Sequence, residues 1–360
     1  MRSLYSAMDI FEATRSYQRW MARHISIVTS DLAHKHQRMR ESAFVFLRGT
    51  FYRWAQVWPT VCASLADAPS VPSVGDVHME NFGTWRDLEG RLVWGVNDVD
   101  EACMLAYTND LVRLATSATL ATRHDRFKVS ARDLCDAILD GYTASLEQKG
   151  SPFVLAERRG WLRRIALNEL RDPATYWPQF DALRPATGHI PHGALKAALP
   201  DPRVSDRVLN RVAGVGSLGR PRIVVLADWC GALVAREAKA RVSSAAVWST
   251  GRASAGVDAA NLLERAVRAP DPFLGLHNRW IVRRLAPDCS WIELTDWPQI
   301  RDEERLLRAM GWEVANVHLG GRRAAIRADL KARPVRWLRD AAVAMADAVE
   351  KESRQWVKRA

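Results

Sequence analysis

Apolar and polar positions divide the chain into a helical first part, a stretch of short strands, and a helical last part. Apolar residues recur at helical intervals over residues 5–28, which predicts an amphipathic helix. Ser42 precedes an apolar-rich segment over residues 43–58, and we predict a second helix there with that serine as its cap. Helical patterns follow from Thr108 or Asn109, and from Ser130 to Gly150.

The second half begins with an irregular connection and then changes to strands. Several prolines interrupt residues 157–200, so we predict one helix followed by a long connection and a domain boundary. From Arg207 the β-branched content rises, which is typical of strands. The predicted strands lie at 208–213, 220–229, 231–241, 278–286 and 290–294, with a helix at 257–268 and further helices from about 302 to the end.

Composition narrows the class of protein without identifying it. A chain of 360 residues forms one large or two ordinary domains, and its formal net charge of +11 indicates affinity for anions. No basic-aromatic alternation marks a nucleic-acid groove, so nucleic acid is not an expected partner. Five scattered cysteines without a CxxC pair argue against structural zinc and a disulfide framework. With no signal peptide and no apolar run of membrane length, we expect a cytoplasmic protein with no membrane partner.

Two acidic clusters flank a short apolar run that we predict as a strand, residues 91–96. The first cluster contains Asp76, His78, Glu80 and Asn81, and the second contains Asp98, Asp100 and Glu101. A hairpin brings such clusters together, and oxygen ligands of this kind suit Mg²⁺. Solvated turns with ordinary acidic residues are the alternative.

A glycine-rich segment, residues 214–219, contains the pattern GxGxxG and includes Ser217. The pattern alone is a weak signal, because Gly214, Gly216 and Gly219 fit a simple hairpin as well. In a dinucleotide-binding fold, glycines in this pattern begin a helix. Here a β-branched run follows them, so a dinucleotide-dependent oxidoreductase is disfavoured. A strand, a glycine turn and a second strand are the kinase arrangement, in which the turn covers phosphates.

A kinase also needs a cation on the third strand, paired with a helical carboxylate. The candidate cations are Arg236 and Lys239, and Glu264 on the following helix is the candidate carboxylate. An exposed strand end with alternating charges explains these residues equally well.

The kinase hypothesis gives each acidic residue a role. Asp76 and Asn81 have the D-x-x-x-x-N spacing of a kinase catalytic loop, so Asp76 accepts the proton of the substrate hydroxyl. Asn81 and Asp98 are then the metal ligands, with Asp100 as a supporting acid. A metallophosphoesterase also uses a G-D-x-H motif but needs further ligands, and His318 lies in an apolar helical pattern typical of a core histidine.

The segments GDVHMENFG (75–83) and VNDVDE (96–101) resemble the catalytic and metal motifs of aminoglycoside-phosphotransferase-like kinases. More closely, the chain resembles the bacterial family called domain of unknown function 2252, or DUF2252. The segments that carry this resemblance are FLRG, GDVHMENFG, NDVDE, NDLVRLATS, VAGVGSLG, AREA, RRL and GWEVANVH, in that order over about residues 35–320.

The resemblance implies an α+β, two-lobed kinase-like fold in permuted order, with ATP and Mg²⁺ as cofactors. A helical lobe with the catalytic loop comes first (1–200), a small antiparallel nucleotide lobe follows (201–298), and C-terminal helices return to the first lobe (299–360). The expected activity is phosphoryl transfer to a hydroxyl of a small molecule or protein. Arg236 departs from the family pattern, which has lysine there, and this departure supports a nucleotide-binding pseudokinase as an alternative. An AMP transferase is a further alternative, because the same residues would hold an inverted nucleotide.

Overall fold

Helices and strands follow one another along the chain in the order that the hydrophobic pattern predicts. The observed elements are shorter and more numerous than the predicted ones. The computed structural model describes residues 8–123, 129–155, 158–168, 172–251, 259–289 and 303–359. The helices in these ranges are α1 (Ile10–Ala22), α2 (Thr29–Arg38), α3 (Ala43–Gly49), α4 (Phe51–Val61), α5 (Ala63–Ala66), α6 (Tyr107–Arg123), α7 (Ala131–Gln148), α8 (Gly160–Asn168), α9 (Pro173–Tyr176), α10 (His192–Ala197), α11 (Ala245–Thr250), α12 (Ala259–Arg265), α13 (Glu303–His318), α14 (Arg323–Ala332) and α15 (Trp337–Arg359).

Three antiparallel sheets contain the strands of the described residues. The strands are β1 (Ser70–Ser73), β2 (Phe82–Arg86), β3 (Leu92–Val96), β4 (Cys103–Ala106), β5 (Phe153–Val154), β6 (Asp206–Asn210), β7 (Arg222–Trp229), β8 (Ala232–Ala240), β9 (Gly275–His277) and β10 (Trp280–Leu285). β1 pairs with β4, and β2, β3 and β5 form a second sheet. The small sheet has five strands in the order β6-β7-β8-β10-β9.

Helix α6 is the centre of the helical part. Its residues from Tyr107 to Ala121 are all buried, because α15, α7 and α13 pack around it. Helices α7 and α13 cross closely at Gly141 and Gly311, where a Cβ on either glycine would collide with a backbone carbonyl of the other helix. No helix in the described ranges has both the length and the apolar character to cross a membrane.

The small sheet is covered by the proline-rich connection that precedes it. Tyr176 and Phe180 pack on one face of the sheet, and α10 packs on the other. The backbone N–H of Ala186 also donates to the carbonyl of Val208 at the edge strand, 2.8 Å away. The proline-rich connection, which we predicted as the domain boundary, therefore packs against the small sheet.

Local sequence signals predicted where helices begin better than they predicted where helices are interrupted or end. The Ser42 hydroxyl accepts from the N–H of Val45, and Ser130 accepts from Asp133, as expected of caps. The helix expected over 43–58 is interrupted at Thr50, whose backbone is not helical (φ −128°, ψ 39°). The helix expected over 5–28 ends at Ala22. The strand expected at 290–294 lies outside the described residues, and β9 was not predicted.

All five cysteines are free thiols. Their positions range from buried, at Cys62, Cys103 and Cys135, to exposed, at Cys230.

Candidate functional site

The two acidic clusters and the glycine-rich segment meet at one cavity. This cavity, of about 460 Å³, lies between α2–α3, the turn at Asp76–Asn81, the Asp98–Glu101 segment and residues 211–218. A wider groove of about 1710 Å³ adjoins it, sharing His34, Arg211, Val212 and Arg222 as lining residues. The smaller cavity contains the predicted chemistry, and we take it as the candidate site.

Asp76 stands at the wall of the cavity with its side chain 17% exposed. The turn that carries it is held from α6, because the Asp110 carboxylate accepts from the N–H groups of Val74 and Gly75 at 2.8 and 3.0 Å. Arg113, one helical turn further along α6, donates from Nε to Asp76 Oδ1 at 2.7 Å, and its Nη2 contacts the same oxygen. The carboxyl is thus fixed in place by a buried arginine.

Burial raises the pKa of Asp76 to about 7, while the Arg113 guanidinium works in the opposite direction. The carboxylates of Glu101 and Asp98 add to the increase. A carboxyl with this pKa changes its proton occupancy near neutral pH, which suits proton transfer.

Asn81 ties the two acidic clusters together. Its side-chain amide nitrogen donates to the carbonyl oxygens of Asp76 (3.0 Å) and Asp98 (2.9 Å). Its amide oxygen accepts from the backbone N–H of Asp98 at 2.8 Å. A carbonyl oxygen has two lone pairs, so one remains for a further ligand.

Lys239 on β8 reaches both carboxylates at the end of β3. Its ammonium lies 3.1 Å from Asp98 Oδ2 and 2.5 Å from Asp100 Oδ2. Burial alone would raise the pKa of Asp98, but Lys239 and Arg283 hold it below its ordinary value. For Asp100, burial and the neighbouring Asp98 charge raise the pKa. The two neighbouring carboxyls therefore differ in proton affinity, and Asp98 has the lower pKa.

The glycine-rich segment joins β6 to β7, as predicted, and its middle approaches Asp76. A Cβ placed on Gly216 would lie 3.2 Å from the carbonyl oxygen of Arg48 and 3.6 Å from Asp76 Oδ2. Gly214 and Gly219 have positive φ angles of 71° and 94°, which other residues rarely adopt. Lys35 on α2 donates to the Gly216 carbonyl at 2.8 Å and holds this segment from the helical side.

Ser217 connects the glycine-rich segment to a buried charge cluster on the small sheet. Its hydroxyl accepts from Arg222 Nη2 at 2.6 Å, and Arg222 Nη1 donates to Glu237 Oε1 at 2.8 Å. Arg211 and Arg283 also pair with Glu237. Against the opposing effect of burial, these guanidinium groups hold the pKa of Glu237 well below its usual range.

Arg236 lies on the opposite face of β8 from Glu237 and Lys239. It donates to the Ala198 carbonyl at 2.7 Å, and its guanidinium stacks 4.6 Å from the Phe273 ring centroid. Alternation along a strand puts neighbouring side chains on opposite faces, so Arg236, where the resemblance led us to expect a lysine, does not face the cavity. Glu264, the candidate carboxylate partner, is exposed on α12. Lys239 forms its ion pairs with Asp98 and Asp100 instead.

The remaining acidic residues are paired with arginines. Glu80 pairs with Arg48, and Glu101 accepts from Arg220 at 2.7 Å. Glu101 also accepts from the N–H of Ala245 at the start of α11, 2.6 Å away. His78 is buried, and that burial, with Arg48 and Arg113 nearby, lowers its pKa well below the ordinary value, so its imidazole is neutral.

His318 is a satisfied core histidine, as its sequence pattern predicted. Its Nε2 lies 3.1 Å from Asp110 Oδ2, and its Nδ1 lies 2.7 Å from the Tyr142 hydroxyl. Both ring nitrogens are thus occupied at a distance from the cavity. No set of three or more His, Cys, Asp or Glu side chains is arranged as a metal cage among the described residues.

Three residues at the site were not expected from the sequence. Lys35 contacts the glycine-rich segment and Arg113 contacts Asp76 across long sequence separations, whereas Arg222 contacts Ser217 from five residues away. Arg113 gave one usable signal, since it is a charged residue inside a helix whose other positions are almost all small or apolar. Such an arginine needs a buried acidic partner.

Comparison with known proteins supports part of the resemblance. No curated protein and no solved structure matches the chain. The model of one family, described as an uncharacterized protein conserved in bacteria (DUF2252), matches residues 28–173. This range contains the Asp76 turn, Asp98 and Arg113, and it ends before the glycine-rich segment. The helical part of the chain, which contributes the acidic residues of the cavity, is therefore similar to the DUF2252 family.

Proposed function

We propose that this chain is a Mg²⁺- and ATP-dependent phosphotransferase acting on a hydroxyl group of its substrate. The observation that carries the proposal is the position of Gly216, whose Cβ position lies 3.6 Å from Asp76 Oδ2. A glycine turn from one half of the chain thereby covers a buried carboxyl from the other half. Kinases use such a turn over the transferred phosphate and such a carboxyl as the base.

The order of parts on the small sheet supports the same proposal. The glycine-rich segment joins the first two strands, β6 and β7, and Lys239 lies on the third strand, β8. This is the kinase arrangement of phosphate-covering loop and cation. Because the helical part precedes the sheet along the chain, we propose a permuted kinase-like fold, with DUF2252 similarity continuing through the glycine-rich segment.

The donor set near Asp98 fits Mg²⁺, which proteins bind through one or two carboxylates together with substrate phosphates. Asp98 and the Asn81 amide oxygen would hold the ion, with Asp100 beside them. When bound, Mg²⁺ neutralises charge on the β- and γ-phosphates. In the same cavity Lys239 supplies a fixed positive charge next to Asp98.

Asp76 takes the proton in the transfer step. The acceptor oxygen forms a bond to the γ-phosphorus while the bond from that phosphorus to the bridging oxygen breaks, and ADP leaves with the electron pair. The acceptor proton passes to Asp76, which Arg113 holds in a fixed orientation. Because positioning and charge stabilisation dominate phosphoryl transfer, a rigid base and fixed cations supply what the step requires.

Calorimetric titration with MgATP tests this function on the full chain. We expect binding that depends on Mg²⁺ and weakens at least tenfold in Asp98→Asn, because that variant removes a carboxylate ligand. Asp181→Asn is the matched control, since Asp181 is exposed and pairs with Arg207 away from the cavity. Absence of binding at millimolar MgATP would contradict the proposal.

The nucleotide products then separate the alternatives. ADP, with the label of γ-labelled ATP on acceptor or water, supports phosphoryl transfer. Pyrophosphate release with transfer of an α-label indicates an AMP transferase. Binding without any product assigns the chain to nucleotide-binding regulators that have no turnover.

A further inference from the structure

The cavity wall formed by Lys35, Arg48 and His78, which we call the Arg48 wall, contains polar atoms with no assigned role. Arg48 Nε and His78 Nδ1 are buried and have no hydrogen-bond partner within the described ranges. Both residues line the cavity that contains Asp76. A buried polar atom without a partner destabilises the folded state, so native proteins leave few of them. Two at one wall indicate a ligand.

The charges of this wall favour an anion. Arg48 pairs with Glu80 through Nη1, which leaves its buried Nε without a partner. Lys35 adds a buried ammonium that donates to the Gly216 carbonyl. Arg38 and Glu41 at the rim are 2.5 Å apart and balance one another. The wall as a whole therefore carries net positive charge.

Arg48 is also suitably placed and rigid. Its side chain is 20% exposed, and its guanidinium lies 5.8 Å from the centroid of the Phe44 ring. The Arg48 carbonyl approaches Gly216, whose Cβ position also approaches Asp76. The wall is thus next to the base, on a different element from the Asp98–Lys239 pair at the end of β3.

We propose that the Arg48 wall binds an anionic group, phosphate or carboxylate, of the acceptor. A planar guanidinium recognises both groups through paired N–H donors, and the neutral His78 ring supplies one more polar contact. A cavity of about 460 Å³ lies within the range of small-molecule sites. The acceptor is then a small anionic hydroxyl compound, an inference that rests on the proposed function.

Anion titration in the presence of bound nucleotide tests the proposal. The full chain is saturated with Mg²⁺ and a non-hydrolysable ATP analogue, so that the sites for nucleotide phosphates are filled. Inorganic phosphate and acetate are then titrated separately, with the unfolding temperature as the readout. We expect at least one anion to raise the unfolding temperature, and the stronger of the two identifies the class.

Variants assign the effect to the wall. Arg48→Lys keeps the charge beside Glu80 but loses the Nε donor, so the anion affinity should fall at least fivefold. Arg48→Met should reduce it at least tenfold, while nucleotide affinity stays within twofold. Arg354→Met on α15 is the control, because that arginine is exposed and distant from the cavity.

Two results overturn the inference. One is the absence of any anion effect on the nucleotide-saturated protein, and the other is an unchanged anion affinity in Arg48→Lys. If the nucleotide itself does not bind, the proposed function fails, and the titration is repeated on the free protein. A loss in Arg48→Lys there still supports the anion site, so the two failures are distinguishable.

Discussion

Two buried carboxyl groups in this molecule have similarly raised pKa values but lie in different surroundings. Burial raises the pKa of both Asp76 and Glu313 to about 7. Asp76 faces a cavity and meets Arg113. Glu313 is 2% exposed between α13 and β3, where it accepts from the Val96 N–H at 3.2 Å and from Asn316 Nδ2 at 2.9 Å.

The difference shows that a raised pKa identifies a functional group only when a substrate can reach it. Glu313 fixes the backbone of β3, the strand that ends just before Asp98. Arg268 stands close by, donating to the Val96 carbonyl and lying 4.4 Å from the Trp85 ring centroid. We therefore interpret Glu313 as a support for the turn that carries Asp98, and we expect Asp76 to be the group that reacts in the proposed transfer.

The largest expected effect is on turnover. Asp76→Asn should lower kcat by about 10²–10⁴, because a positioned base contributes that much, while MgATP affinity stays nearly unchanged. Glu313→Gln makes the corresponding change from carboxyl to amide at a position that substrate cannot reach, so it should change kcat less than threefold. The measurement is ADP release at saturating MgATP. A similar loss of kcat in both variants would remove the distinction between the two carboxyls.

Local sequence signals predicted the acidic side of the site better than its surroundings. Asp76 and Asn81 lie in one short turn, and the β2–β3 hairpin brings the chain back to Asp98, so local spacing was enough to predict that they lie together. The glycine turn was also identifiable, because β-branched runs stand on both sides of it. By contrast, Lys35 meets Gly216 through tertiary packing of α2, which no local pattern encodes.

Strand β8 shows a second limit. The sequence identified it as a strand with two candidate cations, Arg236 and Lys239, but did not decide which one faces the cavity. Both faces of β8 are covered, by α10 on one side and by the cavity and the 172–185 segment on the other. A strand buried on both faces lacks the alternation that fixes its orientation.

The second effect concerns stability and pH. The ordinary pKa of Glu313 is 4.5, and in the folded state it is about 7. Between these values the folded protein retains a proton that the unfolded chain has released, so the free energy of unfolding falls as pH rises. The shift corresponds to about 3 kcal/mol, fully lost above pH 7.

Urea unfolding at pH 5 and pH 8 measures this loss. In Glu313→Gln the difference between the two pH values should shrink by about 3 kcal/mol relative to the unmodified chain, whatever the absolute stability of the variant. The exposed Glu304→Gln, on the same helix, is the control and should leave the difference unchanged. An unchanged difference in Glu313→Gln would mean that Glu313 is already ionised at pH 5.

The smallest effects come from the glycines that approach each carboxyl. A Cβ on Gly95 would collide with the Glu313 carboxyl and lie 3.1 Å from the Trp85 ring, so Gly95→Ala should destabilise the fold by about 2 kcal/mol. Gly216 is exposed, and its Cβ position has contacts of 3.2 and 3.6 Å, so Gly216→Ala should cost less than about 0.5 kcal/mol. The Gly216→Ala methyl would nevertheless stand over Asp76 and should lower kcat/KM. Equal stability losses with unchanged kcat/KM would contradict an open Asp76 and a sealed Glu313.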